Sequence, residues 1–258
     1  MAVRKKHDID LLEFPGFNGK NVSKLTDDEV HTAKRMMDDA GISLSALGSP
    51  RCRYPIEADF AMHRVSFQRG LELTQTLGTD KVRMFSFFIS SGSDAVSWSG
   101  KVIDQLGEML DMVEKENILL CHENEKGIYD DTDDRCVNLL ETFQMLECVF
   151  DPANFIQCSV NVFPAFERMV KRITYMHIKD VLIESGAVVP AGNGDADFAT
   201  LISRFRMLDQ PMVLTLEQHL TLFKGLSDLQ EETLLHKYMY PDDMAAFSAA
   251  VEAVKALL

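Results

Sequence analysis

The sequence has few of the features that mark membrane, secreted or nucleic-acid-binding proteins. No apolar run approaches the roughly 20 residues that a membrane-spanning helix needs, and the polar residues 1–6 precede no secretory hydrophobic segment. Basic residues are scarce, since 26 Lys and Arg against 40 Asp and Glu leave a formal net charge of −14. This balance opposes binding to a phosphate backbone. We therefore expect a cytoplasmic protein with neither a nucleic-acid nor a membrane partner.

Paired cysteines and nucleotide-binding glycine motifs are also absent. The five cysteines are an odd number without C-x-x-C spacing, which favours reduced buried thiols over a disulfide framework or a zinc knuckle. No G-x-G-x-x-G follows the first predicted strand, which counts against a doubly wound dinucleotide-binding sheet. We expect no redox cofactor.

Strand-like and helix-like patterns alternate along the chain without a linker. Strands are predicted at 9–14, 42–48, 81–88, 118–123, 148–151, 173–178 and 212–217. Helices are predicted at 26–40, 57–77, 94–116, 133–147, 155–172 and 197–208, with a last one opened by Pro241 in its first turn. Thr26 and Glu29 form a capping-box pattern, and Gly41 and Gly78 are placed to end helices. The 258 residues thus predict one α/β domain, a TIM-type (βα) barrel.

Four residues of metal-ligand type each close a short apolar run, namely Glu123, Asp151, His177 and Glu217. In a βα barrel, the residues that end the strands point into a common mouth where catalytic groups gather. Three carboxylates and one imidazole could meet there at one divalent cation. Taken singly, each has an ordinary alternative: Asp151 before Pro152 could only cap a helix, and a single His is more often a packing residue.

Five segments resemble, in order, the site motifs of xylose-isomerase-like TIM barrels, the sugar-phosphate isomerase/epimerase superfamily. They are 121–125, 150–155, 176–180, 190–194 and 216–219, and weaker similarity at 12–14, 19–22, 48–50 and 83–86 extends the resemblance over nearly the whole chain. The resemblance implies one divalent metal ion, either manganese, cobalt or magnesium, with zinc also possible. Carried over motif by motif, its ligands are Glu123, Asp151, His177 and Glu217.

The implied activity is isomerisation or epimerisation of a sugar or sugar phosphate. Adjacent carbonyl and hydroxyl oxygens of the sugar would chelate the ion, which would stabilise the enediolate that forms when the sugar carbon between them loses its proton. Glu123 and Glu217 are the candidate catalytic pair that removes and returns this proton. The expected partner is a small carbohydrate.

Four further residues are candidates for substrate binding. Lys179 could bind a substrate hydroxyl or phosphate, or only pair with Asp180, and His122 could donate to a ligand carboxylate or be an outward-facing strand residue. Asn154 stands where several relatives carry His, and Arg53 stands where relatives carry Lys. The 190–197 loop could form a lid over the substrate, or only connect two elements and cap the next helix.

Three alternative functions share this fold. A keto-inositol-type dehydratase uses the same proton abstraction, and a noncatalytic sugar-binding relative would not need all four ligands. A metal-dependent apurinic-site endonuclease is disfavoured by the negative charge and by Asn154 at a His position of that class.

Only seven residues precede the segment matching 8–22, so we expect the first βα unit that relatives carry to be absent. We therefore expect seven strands and a gap in the barrel between the first and last of them. The exposed edges invite covering, either by the 220–239 segment or by a second subunit, so a homo-oligomer is expected.

Overall fold

The structure, a computed structural model, describes residues 7–48, 54–208, 211–217, 219–220 and 238–258. In this part of the chain, seven parallel strands alternate with helices. They are spread over two compact units. One is Ile9–Glu147, and the other contains Cys148–Leu258 with the described residues before Ile9. The predicted α/β alternation and the count of seven parallel strands are confirmed for the described residues. The single domain and the gap in the barrel stay predictions, and most of the 220–239 segment lies outside the described residues.

The Ile9–Glu147 unit contains four parallel strands and one short antiparallel pair. In chain order, the strands of the unit are β1 (Leu11–Phe14), β2 (Gly16–Phe17), β3 (Lys20–Asn21), β4 (Ser43–Leu47), β5 (Lys81–Met84) and β6 (Leu119–Glu123). Its α-helices are Asp27–Ala40, Phe60–Leu77, Ser99–Glu114 and Asp133–Thr142, and short 3-10 helices span Val22–Lys24 and Ala95–Trp98. β1, β4, β5 and β6 pair in parallel in that order, while β2 and β3 form an antiparallel pair. Each helix therefore connects successive parallel strands.

Local sequence signals set the helix ends of this unit. The Thr26 side chain accepts a hydrogen bond from the Glu29 backbone N–H at 3.3 Å, and the Glu29 carboxylate accepts one from the Thr26 N–H at 3.0 Å. Gly41 and Gly78 end their helices in the left-handed conformation, with φ of 61° and 81°. The predicted capping box and both glycine stops are confirmed.

The Cys148–Leu258 unit is organised around three further parallel strands. β7 (Leu146–Phe150), which begins at the unit boundary, β8 (Ile173–Ile178) and β11 (Leu214–Leu216) pair in that order, and β9 (Asp180–Val181) pairs antiparallel with β10 (Val188–Val189). The α-helices are Pro152–Gln157, Val162–Met169, Phe198–Arg206 and Asp243–Leu257.

A chain of aromatic rings holds the end of β7 against the helices that follow it. Phe150 packs on Phe155 with ring centroids 5.3 Å apart and edge-on against Phe166 at 5.4 Å, and Phe166 meets Phe205 edge-on at 6.2 Å. All four side chains are buried. Such edge-to-face packing adds to the hydrophobic burial of the rings, so the position of residue 151, directly after this strand, is well fixed.

Three predicted helices differ from the structure. The one predicted at 133–147 ends at Thr142, and Leu146 and Glu147 already belong to β7. The helix predicted at 155–172 is wrong as a single element, because the chain forms Pro152–Gln157 and Val162–Met169 instead. Ser159 adopts φ of 60° and Val160 N donates to Phe155 O at 2.9 Å, which is the bond pattern that ends a helix. The last helix begins at Asp243 with Asp242 as its cap, so Pro241 precedes the helix and does not lie in its first turn.

Candidate functional site

Three of the four predicted ligands lie together at the C-terminal ends of neighbouring strands in the Cys148–Leu258 unit. Asp151 follows β7, His177 lies near the end of β8, and Glu217 follows β11. The parallel registers, which pair residue 150 with 176 and residue 215 with 177, bring these strand ends level. Each side chain offers one ligand atom, and the three atoms lie within 4.8 Å of one another. The expectation that strand ends gather these groups is met here by adjacent strands.

The spacing of these atoms suits a single cation. His177 Nδ1 lies 3.8 Å from Asp151 Oδ2 and 3.5 Å from Glu217 Oε2. Two donors that share an ion at about 2.0–2.6 Å each can be at most about 5 Å apart. Asp151 and His177 are buried, whereas the Glu217 side chain keeps 30% of its surface exposed. Glu217 is therefore the member of the three that a substrate can approach.

Asp151 serves the helix and the site with different oxygens. Its Oδ1 accepts a hydrogen bond from the Asn154 backbone N–H at 2.9 Å, which caps the helix that Pro152 begins. Its Oδ2 faces His177 and the Lys179 ammonium. The sequence left open whether Asp151 is a cap or a ligand-type residue, and the geometry allows both roles at once.

Lys179 bridges two of the candidate ligands. Its Nζ lies 2.9 Å from Asp151 Oδ2 and donates to Glu217 Oε2 at 3.1 Å, and its side chain is nearly buried. Burial by itself would raise the pKa of Glu217, but the charge of Lys179, together with His177 and His219, outweighs it and holds this pKa well below its usual range. Glu217 is therefore ionised at neutral pH.

Glu123, the fourth predicted ligand, ends β6 in the Ile9–Glu147 unit and is 1% exposed. Within that unit its Oε2 accepts a hydrogen bond from Arg83 Nη1 at 2.5 Å. Arg83 Nε donates in turn to Glu13 Oε1, so one guanidinium joins carboxylates from β1 and β6. The pairing was not predicted, although residues 12–14 and 83–86 had been singled out as resembling the family.

His122 belongs to a buried polar network of the same unit. Its Nε2 lies 2.7 Å from Asp130 Oδ2 and accepts a hydrogen bond from the Ser86 N–H at 3.2 Å. The Ser86 hydroxyl donates to Asp130 Oδ1, and Cys136 Sγ lies 3.1 Å from the Asp130 carbonyl oxygen. All of these residues are buried. The assignment of His122 to substrate binding stays a prediction. Asp130 was not predicted as part of a site, because no sequence motif marked it.

The remaining residues predicted to bind substrate are Asn154 and Arg53. The Asn154 side chain is buried on the first turn of the helix that Asp151 caps, three residues from that candidate ligand. Arg53 lies outside the described residues. Substrate binding by either residue stays a prediction.

The 190–197 loop is tied to the carboxylate that follows Lys179 in sequence. Asp180 is 1% exposed and accepts backbone hydrogen bonds from the N–H groups of Gly192, Gly194 and Ala196 at 2.9–3.2 Å. Burial raises the pKa of Asp180 although these bonds oppose the shift. Asp197 caps the next helix through the Thr200 N–H at 3.3 Å, so the connecting role considered for this loop is present.

The sequence matches the family model described as xylose isomerase-like TIM barrel over residues 2–234, which is most of the chain. This match confirms both the predicted family and the predicted barrel class. A search of curated proteins finds no match. Among the described residues, no helix combines the length and the hydropathy that a bilayer span requires.

Three solved structures illustrate the shared fold. The structure of the IOLI protein with a bound zinc atom aligns over 99% of this chain and 90% of its own, at 17% identity and a TM-score of 0.76. The probable 3-DHS dehydratase AsbF from Bacillus anthracis aligns over 98% and 91%, at 12% identity and 0.73. A D-psicose 3-epimerase from Clostridium cellulolyticum H10, solved with D-tagatose, aligns over 99% and 90%, at 11% identity and 0.70. At such identities the likeness is one of fold.

Proposed function

We propose, given that this chain belongs to the xylose isomerase-like TIM barrel family, that it is a divalent-metal-dependent isomerase or epimerase of a sugar or sugar phosphate. The observation that carries the proposal is the convergence of Asp151, His177 and Glu217, whose ligand atoms lie within 4.8 Å of one another. We propose Glu123 as the fourth ligand, since it ends its own strand as Asp151 and Glu217 follow theirs.

The donor set suits a hard or borderline divalent ion such as manganese, cobalt, magnesium or zinc. Carboxylate oxygens with one imidazole are common ligands of these ions. The three carboxylates exceed the single Lys179 ammonium by two negative charges, which is the charge that one divalent cation neutralises. A bound ion of this kind would act as a Lewis acid toward two adjacent substrate oxygens and make the C–H between them more acidic.

The proton would be moved by the two glutamates. Glu217 is ionised and partly exposed, so it can accept a proton from a sugar carbon held next to it. Glu123, after taking up a proton from the solvent, is proposed to donate it to the opposite face of the same carbon, which gives epimerisation, and Glu217 then releases the proton that it removed to the solvent. Donation to the neighbouring carbon instead gives aldose–ketose isomerisation. Lys179 and Asn154 are proposed to hold substrate hydroxyls.

A dehydratase is the second candidate, because one of the structures with this fold is a probable 3-DHS dehydratase. The first step would be the same proton removal by Glu217, followed by loss of a neighbouring hydroxyl as water. The two reactions differ in their products, so one experiment separates them.

The test is deuterium exchange from D₂O into a panel of ketoses, keto-inositols and their phosphates, with manganese, cobalt, magnesium or zinc added. After chelation of the ion, NMR and mass spectrometry report the label at carbon and any loss of water. We expect metal-dependent label without loss of water. Glu217→Gln should lower the exchange rate by at least about 10²-fold, as is typical on loss of general-base help.

Glu167→Gln is the matched control, because Glu167 is an exposed glutamate of the same unit, paired with Arg204 at 2.7 Å. It should exchange like the wild type. Label accompanied by loss of water would favour the dehydratase. Absence of exchange with every metal and substrate, or a Glu217→Gln rate within a few-fold of wild type, would contradict the proposal.

A further inference from the structure

We propose that Arg83, itself held by Glu13, is a positioning residue that fixes Glu123 so that this ligand presents a single carboxylate oxygen to the cation. The inference deepens the proposed function and depends on it. It assigns a role to two charged residues that the proton transfer does not use.

The three side chains come from the ends of three strands of one parallel sheet. Glu13 lies on β1, Arg83 on β5 and Glu123 at the end of β6. Arg83 pairs in register with residue 121 on the adjacent strand, two positions before Glu123, so its side chain reaches forward to the glutamate. Arg83 Nη1 donates to Glu123 Oε2 at 2.5 Å while Nε donates to Glu13 Oε1.

The burial of the group makes orientation its main effect. The side chains of Glu13, Arg83 and Glu123 are only 7%, 9% and 1% exposed. Among buried groups, the planar guanidinium binds two carboxylates at fixed angles, which an ammonium group cannot reproduce. The Arg83 guanidinium also lies over the Phe85 ring, 5.1 Å from its centroid, which limits its own movement. Glu123 Oε2 is thereby held toward Arg83, and we assign the second oxygen to the cation.

The charges of the three residues also support a positioning role for Arg83. Two carboxylates and one guanidinium sum to −1 in this buried group. Without Arg83, Glu13 and Glu123 would be two like charges in a poorly hydrated place, and Glu123 would be free to turn and to offer both oxygens to an ion. A stabilising ion pair alone would change folding stability but not the geometry of a bound metal.

The experiment titrates Co²⁺ into the full chain and follows the visible absorption of the bound ion, which reports its coordination. The variants are Arg83→Gln, Arg83→Lys and Glu13→Gln. Arg135→Gln is the matched control, since Arg135 in the same unit also pairs with a carboxylate, that of Asp131, and lies over a ring, that of Tyr129. Isothermal titration gives the affinity for Mn²⁺ in parallel.

We expect Arg83→Gln to bind Co²⁺ about 10- to 100-fold more weakly, as for other residues that support metal ligands, with an altered spectrum. Arg83→Lys should recover part of the affinity but not the spectrum. Glu13→Gln should alter the spectrum with a smaller loss of affinity, and Arg135→Gln should match the wild type.

Each outcome decides one question. If the wild type binds neither ion, the proposed function fails and the inference fails with it. If the wild type binds and Arg83→Gln keeps both affinity and spectrum, the inference alone is overturned, as it is if Arg83→Lys restores the spectrum. If circular dichroism shows that Arg83→Gln does not fold, Glu13→Gln decides: an altered spectrum supports the inference, and an unaltered one overturns it.

Discussion

Asp180→Asn is the substitution that should most sharply reveal how the 190–197 loop is held. Asp180 Oδ1 accepts backbone hydrogen bonds from Val181 and Ala196 at 3.0 and 3.2 Å, and Oδ2 accepts them from Gly192 and Gly194 at 2.9 and 3.0 Å. Asparagine has the same shape but only one acceptor oxygen. In either orientation its NH₂ group therefore faces two backbone N–H donors that have lost their acceptor.

The expected loss of stability follows from these contacts. A buried donor left without a partner costs about 1–3 kcal/mol, so two of them give about 2–6 kcal/mol. Part of this is recovered, because burial raises the pKa of Asp180 and the charge is therefore itself unfavourable where it lies. The Gly192 and Gly194 donors are only partly buried, which lowers their share. We expect a net loss of about 2–4 kcal/mol in the free energy of unfolding.

Urea unfolding followed by circular dichroism measures this loss, and hydrogen exchange at the Gly192 and Gly194 amides reports whether the loop opens locally first. The control is Asp195→Asn in the same loop, where one exposed carboxylate oxygen accepts from the Ile183 N–H at 2.6 Å. It should cost at most about 1 kcal/mol. Asp180→Asn within about 0.5 kcal/mol of wild type, with unchanged exchange at both amides, would refute the reasoning.

Two further predictions concern a close backbone approach and a helix cap. Gly194→Ala should loosen the same loop, because its Cβ would lie 2.1 Å from Asp180 Oδ1. In the control Gly100→Ala, the new Cβ has nothing within 4 Å, so stability should change by at most about 1 kcal/mol, in the stabilising direction. Amide exchange of the loop and the free energy of urea unfolding are measured for both variants. The Lys20 hydrogen bond, with the Thr26 backbone bond, lowers the pKa of Glu29. The stability of the wild type relative to Glu29→Gln should therefore be fully present above the unfolded pKa of about 4.3 and be lost as the pH falls through the lowered pKa. Urea unfolding of both proteins across pH 2–7 measures this, and a stability difference that does not change with pH would contradict the prediction.

The sequence predicted strand ends better than it predicted partners. A short apolar run closed by a ligand-type residue located Glu123 and Asp151 because strand burial and the change to a polar residue are local signals. The partners of these residues are not local. Arg83 reaches Glu13 across 70 positions of the chain, and Ser86 reaches Asp130 across 44. A pattern indicates which face a residue occupies, but it does not indicate which distant side chain shares that face.

The helix predicted at 155–172 failed for a different reason. Its apolar spacing continues through the break, although Pro164 is a local signal against one continuous helix, since Pro is tolerated in the first turn of a helix and not in its interior; it lies in the first turn of Val162–Met169. The turn before that helix contains Ser159, which adopts the left-handed conformation that Gly usually supplies. Gly192 and Gly194 did mark a loop, but the groups that a side chain would meet there, the Leu257 side chain at Gly192 and the Asp180 carboxylate at Gly194, become visible only in three dimensions.

The two carboxylate oxygens of Asp151 have different partners, which would affect the choice of ion. Oδ1 is engaged by the Asn154 N–H, and Oδ2 faces His177 and Lys179. If an ion binds at this residue as proposed, it would receive one oxygen, because rotation of the group to offer two would uncap the helix. Calcium, which fills a shell of six to eight oxygens partly through two-oxygen carboxylate contacts, would lose that option here. The cap of a short helix would then disfavour ions that need such contacts.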